Sequence, residues 1–204
     1  MRLSVVMFFV LISLPVNAVD CVKYKKNPIV NVTHIVPEKK IIQPDEDMDL
    51  QLHGHVMSTM AESYNISTAA TFVKTGFCVS LESIDVGFGY NDFIVNIDRN
   101  YKPNSCAYNA VLAHENKHIN EYLLVFDEFK DDFERALNVA ANSVMPVFVE
   151  KKSQIDTVIE DFYQKIQNHP EIVLLKQKIR AAEEIRNKRI DQDEDGADLI
   201  KCFE

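Results

Sequence analysis

His114 and His118 lie four residues apart, and Glu115 directly follows the first, in the stretch AVLAHENKHINEYLLVF from Ala110 to Phe126. On a helix, residues four apart sit one above the other on the same face. Two imidazoles so placed can both reach one metal ion, at about 2.0–2.1 Å each. Glu115 is turned about 100° from His114, which sets its carboxylate where a water on that metal would sit. Zinc lowers the pKa of such a water toward about 7, and a carboxylate that is not itself a ligand can take the proton as general base. The expected chemistry is hydrolysis, with Zn2+ as cofactor, His114 and His118 as metal ligands and Glu115 as the catalytic base. Glu115 also falls on the apolar stripe between Leu112 and Ile119. A carboxylate there is expected to be partly buried and to need a partner.

A third ligand is required, and the sequence leaves it open. Glu121 continues the series on the same face, but stands one turn beyond His118, about 4.5 Å further along the axis. A carboxylate from another helix is geometrically easier, and Glu150, Glu160, Asp161, Glu183 and Glu184 are available. His53 and His55 flank Gly54 and offer one more imidazole at most, since residues two apart cannot share a helix face. Tyr90, Tyr122 and Arg99 are candidate donors to an oxyanion.

At these residues the chain resembles the zincin superfamily of zinc metallopeptidases, whose H-E-x-x-H lies on an active-site helix. The layout from Phe77 to Phe126 is similar to that of a family of uncharacterised secreted bacterial proteins predicted to be zinc-dependent proteases. The resemblance implies His114 and His118 as ligands, Glu115 as base and a peptide or protein substrate. It also implies that a strand edge of the preceding sheet holds that substrate extended, by β-augmentation. The H-E-x-x-H-x-x-G-x-x-H extension is absent: Glu121 stands at the glycine position and Leu124 at the last histidine position. The metzincin type is thereby excluded.

The elements that must position these residues follow from periodicity. Ile29 to Val36, rich in β-branched residues, predicts a strand ended by Pro37. Pro44 with three acidic residues predicts a helix start, and Leu52, Val56, Met60 and Tyr64 at fourfold spacing extend that helix to about Tyr64. Asn65 to Gly76 reads as a connection, with a short strand within it as the alternative. Phe77 to Asp98 alternates strongly and predicts a hairpin turning near Asn91. Asn104 or Ser105 caps a long amphipathic helix running to about Ala141, because no Gly or Pro interrupts Ser105 to Met145. Helices over about Ser153–Asn168 and Glu171–Ile190 follow. The fold class is α+β: a small antiparallel sheet or hairpin, the long motif helix, and a helical C-terminal part. Residues 19–142 form the zincin-like unit, and 143–204 a helical extension packed on the same domain.

Residues 1–18 read as a signal peptide, with Arg2, an apolar run from Leu3 to Leu14, and Val16-Asn17-Ala18 before the cleavage point. The run is shorter than the roughly 20 residues of a membrane span, so no stable membrane insertion after cleavage is expected. Localisation is then periplasmic or extracellular. The net charge of −9 argues against nucleic acid and anionic membrane surfaces as partners. Cys21, Cys78, Cys106 and Cys202 predict two disulfides in an exported chain. Of three possible pairings, sequence order favours Cys78–Cys106, bracketing the hairpin, with Cys21–Cys202 tying the ends. Asp191-Gln192-Asp193-Glu194-Asp195-Gly196 matches the opening of a calcium loop, yet Cys202 occupies the position of its last carboxylate ligand, so the stretch reads mainly as an acidic loop after the last helix. The competing functional reading is a non-catalytic exported protein that binds a partner through the stripe Ile172, Leu175, Ile179 and Ala182. The same stripe packing on the body of the protein is the simpler expectation.

Overall fold

The structure, a computed structural model, describes residues 19–45, 53–193 and 201–202. Residues 1–18, read above as a signal peptide, most of the acidic run after Pro44 and residues 194–200, on which most of the expected acidic loop falls, lie outside that set. Among the described residues, seven strands and three α-helices follow in the order β1 (Ile29–Ile35), β2 (Lys39–Ile42), β3 (Gly54–Met57), β4 (Met60–Val73), β5 (Gly76–Tyr90), β6 (Phe93–Ile97), α1 (Cys106–Ser143), β7 (Val147–Val149), α2 (Ile155–Gln167) and α3 (Pro170–Asp193).

The strands form two sheets, β1-β5-β4 with β7 beside β5, and β2-β6-β3. Three strands of the first sheet join, across two or three residues, a strand of the second: β1 leads into β2, β5 into β6, and β3 into β4. The result is one three-stranded ribbon broken at a common seam. β4–β5, β5–β7 and β3–β6 are antiparallel, while β1 and β2 run parallel to their neighbours.

Two expectations are corrected here. The stretch predicted as a helix to Tyr64 is strand where it is described, in β3 and the start of β4. Residues four apart share a face in a strand as well as in a helix, because four is also an even number. Met60, Tyr64 and Ile66 therefore pack on the core from β4. The second correction concerns the hairpin. β5 and β6 do not pair; Asn91 and Asp92 mark the step from one sheet into the other. The hairpin is β4–β5, reversed at Lys74, whose φ of 37° is left-handed.

α1 carries both sheets. Its 38 residues span about 57 Å. The N-terminal half packs Val111 and Ile119 on Phe93, Val95 and Ile97 of β6. The C-terminal half packs Phe133, Leu137 and Ala140 on Val79, Ile84, Val86 and Phe88 of β5. Phe88 stacks on Phe133 with ring centroids 3.8 Å apart. Val158, Phe162 and Ile166 of α2 and Ile172, Leu175 and Ile179 of α3 complete that core. The stripe on α3 is thus buried against the body. A nearly buried ion pair fastens α3 to β4: Lys176 Nζ lies 2.6 Å from Glu62 Oε2, which also accepts from the Tyr64 hydroxyl.

Both disulfides form, with the pairing Cys21–Cys78 and Cys106–Cys202. This overturns the pairing that sequence order favours. Cys78 is near the start of β5, and twelve strand steps of about 3.3 Å carry the chain some 40 Å to the seam before β6 begins. Cys78 and Cys106 therefore stand at opposite ends of the ribbon. Cys21 meets Cys78 beside the first sheet, and Cys202 meets the first residue of α1. No helix among the described residues is long and apolar enough to cross a membrane.

Candidate metal centre

Ser105 starts the motif helix, its hydroxyl accepting from the Tyr108 N–H at 3.3 Å. This cap fixes the phase of α1, and with it the faces on which the motif falls. Val111, Glu115 and His118 are turned inward. α3 runs antiparallel along the same region: Asn187 meets His118, Asp191 meets His114 and His118, and Arg186 pairs with Glu121 and Glu128. β3, one of the two outer strands of the second sheet, lies against the other flank of the motif.

Three potential ligand atoms converge. His118 Nε2 is 3.1 Å from His114 Nε2 and 3.1 Å from Asp191 Oδ1, and His114 Nε2 is 3.5 Å from the same oxygen. Donors about 2.0–2.1 Å from one ion at tetrahedral angles stand about 3.3 Å apart. The three edges of this triangle match that spacing. Two imidazoles and one carboxylate suit a zinc site that keeps a further position open. His118 is buried and Asp191 faces solvent, so the triangle opens outward at its carboxylate corner.

Glu115 is buried at 4% exposure. It accepts from the Val56 backbone N–H. Burial pushes its carboxyl up to about 7; the His118 ring opposes this, the Asp191 carboxylate adds to it, and the Val56 N–H opposes it. Close passage of β3 makes the arrangement possible. A Cβ at Gly54 would stand 2.4 Å from Val111 Cγ1 and 3.1 Å from Glu115 Oε1.

Around the triangle, Asn187 Oδ1 is 2.7 Å from His118 Nδ1. Glu183 accepts from the buried Tyr90 hydroxyl. Burial raises the Glu183 carboxyl above its ordinary value, against the Tyr90 hydrogen bond and the Arg180 charge. Tyr122 follows His118 by one turn; burial first, then the Glu183, Asp191 and Glu115 carboxylates, raise its phenol.

Of the candidates for a third ligand, none named for that role is the residue that arrives. Glu121 pairs with Arg186, Glu183 with Tyr90, and Asp161 with Lys165. Glu160 accepts from Gln164 on α2. His53 Nδ1 contacts the Tyr101 hydroxyl at 2.5 Å, and His55 Nε2 contacts Asn96 Nδ2 at 3.1 Å. Among the described residues, the only cluster of His, Cys, Asp and Glu side chains with metal-holding geometry is His114, His118 and Asp191. Asp191 belongs to the last turn of α3 rather than to a loop, since the helix runs on to Asp193. The first positions of the supposed calcium loop are therefore helical, and its remainder lies outside the described residues. Arg99 donates to the Asp45 carbonyl and Tyr90 to Glu183, whereas the Tyr122 phenol feels the Asp191 and Glu115 carboxylates.

No protein-family model, curated protein or solved structure matches the chain.

Proposed function

We propose that this chain is an exported zinc-dependent peptidase, with His114, His118 and Asp191 as the metal ligands and Glu115 as general base. The observation that carries the reading is the convergence of three ligand atoms beside a buried carboxylate that is not one of them. A zinc ion in such a site supplies Lewis acidity and makes water acidic enough to deprotonate near neutral pH. Glu115 is the proton carrier: held by the Val56 N–H and by burial, it takes a proton from the attacking water and returns it to the leaving amine. Tyr122 is the hydroxyl available to steady charge developing on the scissile carbonyl.

A peptide substrate is favoured by the strand beside the motif. β3 is an edge strand of its sheet. His53 O accepts from Asp98 N, and alternation then turns the backbone groups of Gly54 and Val56 away from β6. Val56 uses its N–H on Glu115, and its carbonyl and the backbone groups of Gly54 face the same edge, where an extended chain would pair. Export is supported by the two disulfides, which persist in oxidising compartments, and by the character of residues 1–18.

The test is the zinc content of purified protein after dialysis, followed by turnover on unstructured protein substrates. Wild type is expected to hold one zinc per chain, and His118→Ala and Asp191→Ala to lose it. Glu115→Gln is expected to keep the metal and lose about 10²–10⁴ in kcat. A wild type that takes up no zinc when supplied sinks the reading.

A further inference from the structure

Asn187 sits on α3 one turn before Asp191 and faces the ring of His118. Its Nδ2 donates to the Glu183 backbone carbonyl at 2.8 Å. A backbone carbonyl can only accept, so the nitrogen of the Asn187 amide must be the atom turned toward it. That leaves Oδ1 for the imidazole, 2.7 Å from His118 Nδ1. An amide oxygen also only accepts, so Nδ1 must carry the hydrogen. In a neutral imidazole the other nitrogen, Nε2, then holds a bare lone pair. Nε2 is the atom that points into the triangle, 3.1 Å from both His114 Nε2 and Asp191 Oδ1.

From this chain of donors and acceptors we infer that Asn187 is a positioning residue that locks His118 in the metal-ready tautomer before any metal arrives. The inference rests on reading His114, His118 and Asp191 as a metal site. A free imidazole in water favours the opposite tautomer, with the hydrogen on Nε2, so the lock does work that the ring does not do unaided. It sets a bare nitrogen opposite a carboxylate oxygen, both acceptors, at 3.1 Å, a contact that a cation between them makes favourable. α3 thus brings two things to the site from one face, a ligand in Asp191 and, one turn earlier, the group that readies the opposing ligand. Partners of a ligating histidine commonly set its orientation and basicity in this manner.

The experiment uses the full chain labelled with nitrogen-15 in its histidines, first metal-free, then titrated with Zn2+ against a chelating dye. In the metal-free wild type the His118 ring should carry its hydrogen on Nδ1. Asn187→Leu should move the hydrogen to Nε2 and weaken Zn2+ binding by about 10–100-fold. Asn187→Asp, which keeps an acceptor at that point, should retain the Nδ1 hydrogen and bind Zn2+ within about tenfold of wild type. An Asn187→Leu protein with the wild-type tautomer and wild-type affinity overturns the inference, as does an Asn187→Asp protein whose His118 carries its hydrogen on Nε2, should the leucine variant not fold. The two readings fail separately. A wild type that binds no zinc but shows the Nδ1 hydrogen removes the metal site and leaves the Asn187 lock in place.

Discussion

Gly54 is the point at which the packing of the sheet and the position of Glu115 can be tested together. A methyl group there would meet Val111 Cγ1 at 2.4 Å, where ordinary contact begins at 3.4 Å, so β3 or α1 must yield by about 1 Å. Neither yields easily, since β3 is laddered to β6 and Val111 is buried against Val95 and Ile97. Where space exists, Gly→Ala stabilises by about 0.4–1 kcal/mol through the unfolded chain. Overpacking costs about 1–3 kcal/mol. Gly54→Ala is therefore expected to lose stability despite the favourable backbone term. Val111→Ala removes the clashing methyl and alone should cost about 1.5–2.5 kcal/mol. The double variant should be more stable than additivity predicts by at least about 1 kcal/mol. Its stability returns only in part, because the same methyl still lies 3.0 Å from the Asn96 carbonyl and 3.1 Å from Glu115 Oε1. On the proposed function, zinc content should be unchanged in both Gly54 variants while turnover falls, since the pressure is on the proposed base and not on a proposed ligand. Urea denaturation of the four proteins of the cycle measures the coupling. A Gly54→Ala protein as stable as wild type, or strict additivity with Val111→Ala, would refute this account of how β3 seats Glu115.

Three further outcomes follow from other contacts. The Cys106–Cys202 bond closes a 96-residue separation and the Cys21–Cys78 bond one of 57; chain entropy sets ceilings near 4.7 and 4.2 kcal/mol for their removal at 25 °C. Both alanine pairs should lose comparable stability, but only loss of Cys106–Cys202 should also weaken zinc binding, because α3 has no buried apolar residue after Ile179 among those described and Asp191 lies twelve residues beyond it; equal zinc affinities in the two variants would contradict this. Lys176→Met leaves the Glu62 carboxylate unpaired at 13% exposure and should cost about 3 kcal/mol in a chemical denaturation, with most of it recovered by adding Glu62→Gln. Glu183 has a folded-state carboxyl raised above its ordinary 4.5, so its contribution to stability is fully present below that value and is lost as pH rises through the raised one; Glu183→Gln should flatten this part of the stability-versus-pH curve, and an unchanged slope would count against the burial argument.

The motif helix is legible in the sequence because its signals agree. Apolar residues recur near every 3.6 positions from Val111 to Leu137, and Ser105 supplies the cap. β3 and β4 are not legible in the same way. Val56, Met60 and Tyr64 are spaced by four, a spacing that helix and strand share, and the acidic run after Pro44 mimics a helix start. Tyr90-Asn91-Asp92 has the composition of a turn but serves as a step between sheets, a role that depends on which strands lie alongside and not on the three residues themselves. The disulfide pairing fails for the same reason, as it was tied to a hairpin that does not form.

Asp191 marks the boundary between what spacing conveys and what needs topology. Leu175, Ile179, Glu183, Asn187 and Asp191 form an unbroken row at intervals of four along α3. The row is buried and apolar up to Ile179 and polar from Glu183 onward. A row that begins in the core and turns polar while still facing the body needs polar partners there. On α1 the facing row is Phe126, Tyr122, His118 and His114, also at intervals of four, as when matching ridges of two helices interlock. Set antiparallel, the rows bring Asn187 to His118 and Asp191 to His114, as the contacts record. Glu184, Lys188 and Gln192 make an equally regular polar row, so regularity alone does not select the right one. The phase of the buried residues Leu175 and Ile179 selects it, but only once α3 is known to lie antiparallel on α1. That alignment depends on the Lys176–Glu62 pair, the shared core and the Cys106–Cys202 bond. The two histidines proposed as ligands are written in five consecutive residues, whereas the carboxylate that meets them depends on the direction in which a distant helix is laid across them.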